Sequence, residues 1–250
     1  MRLEQVQQIG VLGGGVMGGG IAQVLAVAGY RVVIRDLTEQ IIEETRAELC
    51  DRKWGLKRSV EKGKLGFDQA LAAIERVSYS TKLEALAGCD FIIEAVPERL
   101  DLKQTVFKEL DGLIRKDAIL TSNTSGLAIA DIARDVSAAR KALVAGMHFS
   151  NPVPVMRMCE VVYTPDTSQE TVDTVKGVAE KANRAVSMVK DAPGTYGFIL
   201  NRVFAAARRE AMKIVEDGIA TEEDVDRAMI TGRNWPAGFF GRRGGIGKQW

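Results

Sequence analysis

The chain has 250 residues, enough for one large domain and a small one. Its 34 lysines and arginines nearly balance 33 aspartates and glutamates, so no global field draws nucleic acid or an anionic membrane, and any anionic ligand needs a local patch. Three cysteines without a CxxC pair (Cys50, Cys89, Cys159) argue against a disulfide framework and for a reducing, cytoplasmic setting. The polar N-terminus predicts no signal peptide, and no apolar run approaches the roughly 18 residues that span a bilayer. No metal site is expected.

The first predicted strand, 8–12, runs directly into Gly13-Gly14-Gly15-Val16-Met17-Gly18, and a helix is expected over 18–28. This is G-x-G-x-x-G in a strand–turn–helix setting. Gly13 allows the tight turn, Gly15 lets a pyrophosphate reach the backbone, and Gly18 lets helix and strand pack closely. The helix start offers amides and a positive dipole end to phosphates, and Val16 and Met17 of the turn are counted with Gly13, Gly15 and Gly18 among the cofactor-binding residues. A second strand, 31–35, ends at Asp36. An acid there suits the adenosine ribose of a dinucleotide and disfavours a 2′-phosphate, so NAD is expected over NADP, although Arg31 and Arg35 could accommodate that phosphate.

Residues 38–62 read as one long helical stretch, forming with 68–76 a helical hairpin inserted in the domain; the alternative is an ordinary crossover with a long loop. The hairpin carries Arg52, Lys53, Lys57, Arg58, Lys62 and Lys64. Further strands are expected at 91–94, 118–122, 143–147 and 159–163, with a late edge strand at 185–189, and helices at 100–113 and 129–135. Strands alternating with helices imply a mostly parallel, doubly wound sheet of the Rossmann type.

His148, the only histidine, follows the strand 143–147 at its carboxyl end, where such sheets place their chemistry. A neutral imidazole suits removal of a hydroxyl proton as hydride leaves carbon. Glu160 lies in an apolar strand, where a carboxylate needs a partner. It either orients His148 and favours its protonated form, or points to solvent from an edge strand.

After Asp191-Ala192-Pro193-Gly194 the texture changes. Residues 197–215 form an apolar-periodic helix with Arg208, Arg209 and Glu210 on the wet side; Gly218 is its stop, and Thr221 caps another helix. The expected domains are 1–190, binding the dinucleotide, and 191–250, a small all-α substrate and dimerisation domain. The first helix of the latter carries more apolar surface than one short helix covers, so a homodimer is expected. The tail from Trp235 to Trp250 is expected to lie across that contact or to cap the substrate pocket.

The strings VLGGGVMGGGIAQ (11–23), Glu94-Ala95-Val96-Pro97-Glu98, Ser122-Asn123-Thr124-Ser125, residues 148–156, Glu160 and PGTYGFILNR (193–202) together resemble the short-chain 3-hydroxyacyl-CoA dehydrogenase family, with bacterial 3-hydroxybutyryl-CoA dehydrogenases most similar. The resemblance implies an NAD-dependent oxidation of (S)-3-hydroxyacyl-CoA to the 3-oxo compound, or its reverse. It implies His148 as general base, Glu160 as its orienting partner, Ser125 at the substrate oxygen and Asn201 near the thioester. Glu98, Lys103 and Asn151, with Ser125, match positions near the nicotinamide nucleotide, and Arg52 and Lys57 on the hairpin would meet the phosphates of coenzyme A. Read from the residues alone, Ser125 could instead cap the helix beyond Gly126, and Asn201 could be an exposed helix residue. The chain departs from the family at Ser150, where a second Phe is usual, at the inserted Thr195-Tyr196, and after Asn234, where the family's further apolar helices are replaced by a short Gly- and Arg-rich tail. A dehydrogenase of a CoA-free 3-hydroxy acid, or a non-catalytic NAD-binding sensor or assembly module, are the alternative functions.

Overall fold

The computed structural model describes residues 1–241. The chain divides into two compact units, 1–196 and the remainder from Gly197.

The first unit is built on an eight-stranded sheet. Its strands are β1 (Gln8–Leu12), β2 (Arg31–Arg35), β3 (Val77–Ser80), β4 (Phe91–Glu94), β5 (Ile119–Ser122), β6 (Val144–Phe149), β7 (Met158–Tyr163) and β8 (Ala185–Lys190). They lie in the order β3-β2-β1-β4-β5-β6-β7-β8. Every pairing is parallel except β6 with β7. This is the doubly wound Rossmann sheet, with its switch point between β1 and β4, where ligands bind beyond the carboxyl ends of the strands. β4, β5 and β6 are buried along their whole length, as strands covered by helices on both faces must be.

The crossovers carry α1 (Val16–Val27), α2 (Glu39–Cys50), α3 (Leu56–Glu61), α4 (Phe67–Glu75), α5 (Leu100–Leu113), the single turns α6 (Ile129–Ile132) and α7 (Ala138–Lys141), and α8 (Gln169–Lys181). The expected long helix over 38–62 is broken. α2 ends at Cys50 and α3 starts after Gly55, where a Cβ would stand 2.8 Å from the carbonyl of Cys50. Only glycine lets the chain turn so tightly against the end of the preceding helix. β3 and α8 are absent from the sequence expectations. β3 is a half-exposed edge strand with no apolar run. α8 is rich in β-branched residues that disfavour helix, yet Val172, Val175 and Val178 fall on one buried face, and Ser168 caps the helix by accepting from the Thr171 amide. His148, expected just beyond a strand, lies inside β6.

In the second unit, α9 (Ile199–Glu216) and α10 (Glu222–Arg233) are joined through Gly218, whose φ of +68° makes it the expected stop. Thr221 caps α10 by accepting from the Asp224 amide. Only Ala211 of α9 is buried, and Ile199, Leu200, Val203, Phe204 and Met212 are exposed. Trp235 and Phe239 fold back onto Phe204, with ring centroids 6.3 and 5.6 Å away, and the Phe240 amide donates to the buried Asp226. The described part of the tail therefore packs on its own unit. The expectation for the tail also falls on residues 242–250, which lie outside the described residues. Among the described residues no helix is long and apolar enough to cross a membrane.

Candidate active site

At the end of β1 the chain turns through Gly13, whose φ is +102° and whose absent Cβ would lie 2.6 Å from the Ala95 carbonyl oxygen, across the switch point. A Cβ on Gly18 would overlap the carbonyl oxygen of Gly13, whereas Gly15 faces open space. Gly15 is the N-cap of α1, and no side chain caps that helix, so its first amides are available to an anion. Asp36, beyond β2, takes the Gly14 amide on Oδ2 at 2.5 Å and the Leu37 amide on Oδ1 at 2.6 Å.

A second cluster occupies the ends of β4 and β5. Glu94, fully buried, accepts from Lys103 Nζ at 2.6 Å, Ser122 Oγ at 2.6 Å and the Val96 amide at 2.7 Å. Burial pushes its carboxyl above the usual carboxylate range, against the lowering effect of Lys103 and of these hydrogen bonds. Lys103 is 1% exposed and also reaches Glu98 at 3.4 Å. Glu98 in turn accepts from Thr124 Oγ1 at 2.6 Å and the Ser125 amide at 2.8 Å. A continuous polar chain thus runs from the core to the backbone of Ser125. Thr124 caps the following turn, accepting from the Gly126 and Leu127 amides. Asp191 takes the Ile129 and Ala130 amides with its two oxygens, tying the segment after β8 to the start of α6.

The third cluster lies on β6 and β7. Their antiparallel register sets His148 directly opposite Glu160, and His148 Nδ1 lies 2.7 Å from Glu160 Oε2. β7 is an interior strand and Glu160 is 1% exposed, which removes the reading of it as a solvent-facing edge residue. A buried carboxylate is stable there because an imidazole N–H hydrogen-bonds to it. Asn123, at the end of β5, accepts from the Phe149 amide at 2.9 Å and so fixes the strand beside His148.

The chain matches "3-hydroxyacyl-CoA dehydrogenase, NAD binding domain" over residues 8–192 and "3-hydroxyacyl-CoA dehydrogenase, C-terminal domain" over 197–247. It belongs to the 3-hydroxyacyl-CoA dehydrogenase family. A probable 3-hydroxybutyryl-CoA dehydrogenase of Bacillus subtilis is 40% identical over 234 residues, 94% of this chain and 79% of that protein. The human mitochondrial hydroxyacyl-coenzyme A dehydrogenase is 37% identical over 238 residues, 94% of this chain and 74% of that protein. The crystal structure of (S)-3-hydroxybutyryl-CoA dehydrogenase from Ralstonia eutropha superposes with a TM-score of 0.87 at 34% identity, covering 94% of this chain and 80% of that one.

As a member of this family the chain is an NAD-dependent dehydrogenase. The residues present fit that cofactor. The open face at Gly15, the uncapped start of α1 and the acid beyond β2 are the features a dinucleotide needs. Asn151 sits in the loop between β6 and β7, with the glycines of α1 and Trp54 lining the same small cavity. Lys103, expected beside the nicotinamide nucleotide, is enclosed between Glu94 and Glu98. On the hairpin, Arg52 is paired with Glu48 and Arg58 with Glu61, Lys53 and Lys62 lie over the ring of Trp54, and Lys57 is exposed. Asn201 lies in the first turn of α9, in the second unit. Sequence reasoning assigned no role to Glu94, Ser122, Thr124 and Asn123. The signal for Glu94 was available: an acid ending an apolar strand, nine residues before a lysine on the following helix.

Proposed function

We propose that this dehydrogenase oxidises the 3-hydroxyl of a short (S)-3-hydroxyacyl-CoA to the 3-oxo compound, or runs the reverse. The observation that carries the reading is the buried His148–Glu160 pair at 2.7 Å, one strand away from the polar chain that ends at Ser125. With Nδ1–H donated to Glu160, Nε2 of neutral His148 is the atom that takes the substrate hydroxyl proton. Glu160 holds the ring in this tautomer and stabilises the imidazolium that forms. NAD, when bound, supplies the hydride acceptor at its nicotinamide C4. Ser125 donates to the substrate oxygen, its backbone held by Glu98, and Asn201 binds near the thioester. Gly13, Gly15, Val16, Met17, Gly18 and Asp36 hold the adenosine and pyrophosphate; Glu98, Asn151 and, through Glu98, Lys103 serve the nicotinamide side. Arg52 and Lys57 meet the charged end of coenzyme A.

The division of labour follows the same lines: residues 1–190 bind NAD, and 191–250 complete the substrate site and pair two copies through the exposed apolar side of α9. Free cysteines and bacterial relatives such as that of B. subtilis support a cytoplasmic location. A CoA-free 3-hydroxy acid is the second reading, favoured by the internal pairing of Arg52 and Arg58. The test is NAD reduction with 3-hydroxybutyryl-CoA and, separately, with free 3-hydroxybutyrate. Turnover with the thioester alone is expected; equal or better turnover of the free acid overturns the CoA assignment, and turnover of neither overturns both.

A further inference from the structure

Thr45 lies in the middle of α2, outside every residue given a role above, and is buried. Its Oγ1 stands 2.5 Å from the carbonyl oxygen of Gly14 and 2.7 Å from that of Ile41. A hydroxyl in mid-helix ordinarily donates back to the carbonyl four residues earlier, here Ile41; this one also has a shorter acceptor in the dinucleotide loop. The approach requires glycine at position 14, where a Cβ would come within 2.6 Å of Thr45 Oγ1. On the other side of the same residue, the Gly14 amide donates to Asp36 Oδ2 at 2.5 Å. Two successive peptide planes are therefore gripped, one by an acceptor and one by a donor. Because the peptide between Gly14 and Gly15 is planar and trans, a Gly14 carbonyl aimed at Thr45 turns the Gly15 N–H the opposite way, away from α2. Gly15 is the open-faced N-cap of α1, and its amide orientation decides how an anion is met there.

We propose that Thr45 is a positioning residue for the cofactor: its hydroxyl, with Asp36, pre-sets the glycine loop so that the amides at the start of α1 are aimed at the pyrophosphate before NAD arrives. Asp36 consequently has a second task besides the ribose, and a substitution there disturbs pyrophosphate binding as well as sugar selectivity.

The inference rests on NAD as the cofactor, so NADH binding by the parent chain is measured first; its absence would overturn the reading of the whole loop and not of Thr45 alone. NADH and ADP-ribose are then titrated into Thr45→Val, which keeps the shape and removes the donor, and into Thr45→Ser, which keeps the donor. Thr45→Val is expected to weaken both ligands about tenfold, in line with one lost hydrogen bond to a positioned group, while the melting temperature without ligand and the KM for the acyl substrate stay close to the parent. Thr45→Ser is expected to restore both affinities. Unchanged NADH affinity in Thr45→Val overturns the proposal. So does a Thr45→Ser as weak as Thr45→Val, because restoring the donor would then not restore the loop. Were Thr45→Val to lose its fold, Thr45→Ser against Thr45→Cys, of similar size but with a weak donor, gives the same contrast.

Discussion

In the first unit β4, β5 and β6 bury every residue they carry, and three buried charges there have counterparts: Glu94 with Lys103, Glu160 with His148, Arg140 with Asp111. In the second unit α9 buries Ala211 alone and leaves Val203 64% and Phe204 46% exposed. The first unit pairs most of its buried polar side chains internally, Tyr30 Oη and Arg35 Nε excepted. The second presents an apolar face of the kind that marks an interface. The proposed function places cofactor binding and proton transfer in the first unit and assembly in the second, and this contrast is what supports that division.

The largest expected effect tests the first half of this contrast. His148→Gln should lower kcat by about a hundredfold to ten-thousandfold while NADH affinity, measured by fluorescence titration, stays near that of the parent, because the glycine loop and the base lie on different strands. Turnover at the parent rate would remove His148 as the base.

Next comes the buried network. Lys103→Met leaves Glu94 without its cation in the core, which should cost about 3–5 kcal/mol of stability, read as a fall in urea midpoint. An unchanged midpoint would mean that Ser122 and the Val96 amide alone satisfy Glu94, and that the first unit is less dependent on its ion pairs than the contrast claims.

The second half is tested at α9. Val203→Asp sits at an exposed position, where a substitution normally changes monomer stability by no more than about 0.5 kcal/mol. Light scattering should nevertheless show a dimeric parent and a monomeric variant, with NADH binding by the first unit intact. A parent that is monomeric at micromolar concentration would refute the dimer, and the exposed face of α9 would then need another occupant.

The smallest effect concerns cofactor choice. kcat/KM should be higher with NAD than with NADP, because Asp36 repels a 2′-phosphate. The reverse ratio would give control of the strand end to Arg35, whose Nε has no hydrogen-bond partner among the described residues.

Much of the first unit was legible from the residues. Strand–turn–helix with Gly13, Gly15 and Gly18 reports a local need for a tight turn and close packing, and β1, β2, β4 and α5 lie at the positions the pattern predicts. Membership of the family followed from motifs distributed along nearly the whole chain. What escaped was decided at a distance. α8 forms because its valines find the sheet, not because its residues favour helix. The break at Gly55 depends on how closely the chain folds back on Cys50.

The sequence by itself determined that a dinucleotide loop and a strand-end histidine exist, since each is a matter of neighbouring residues and their backbone freedom. Only the tertiary structure decided what those groups touch. The sheet register brings Glu160 to His148, twelve residues apart; the crossover through β4 and β5 brings Ser122 to Glu94, twenty-eight apart; and the packing of α2 brings Thr45 to Gly14, thirty-one apart. Composition and periodicity can require that a buried polar group have a partner, but which partner it meets is set by strand order and helix packing, and those exist only once the chain has folded.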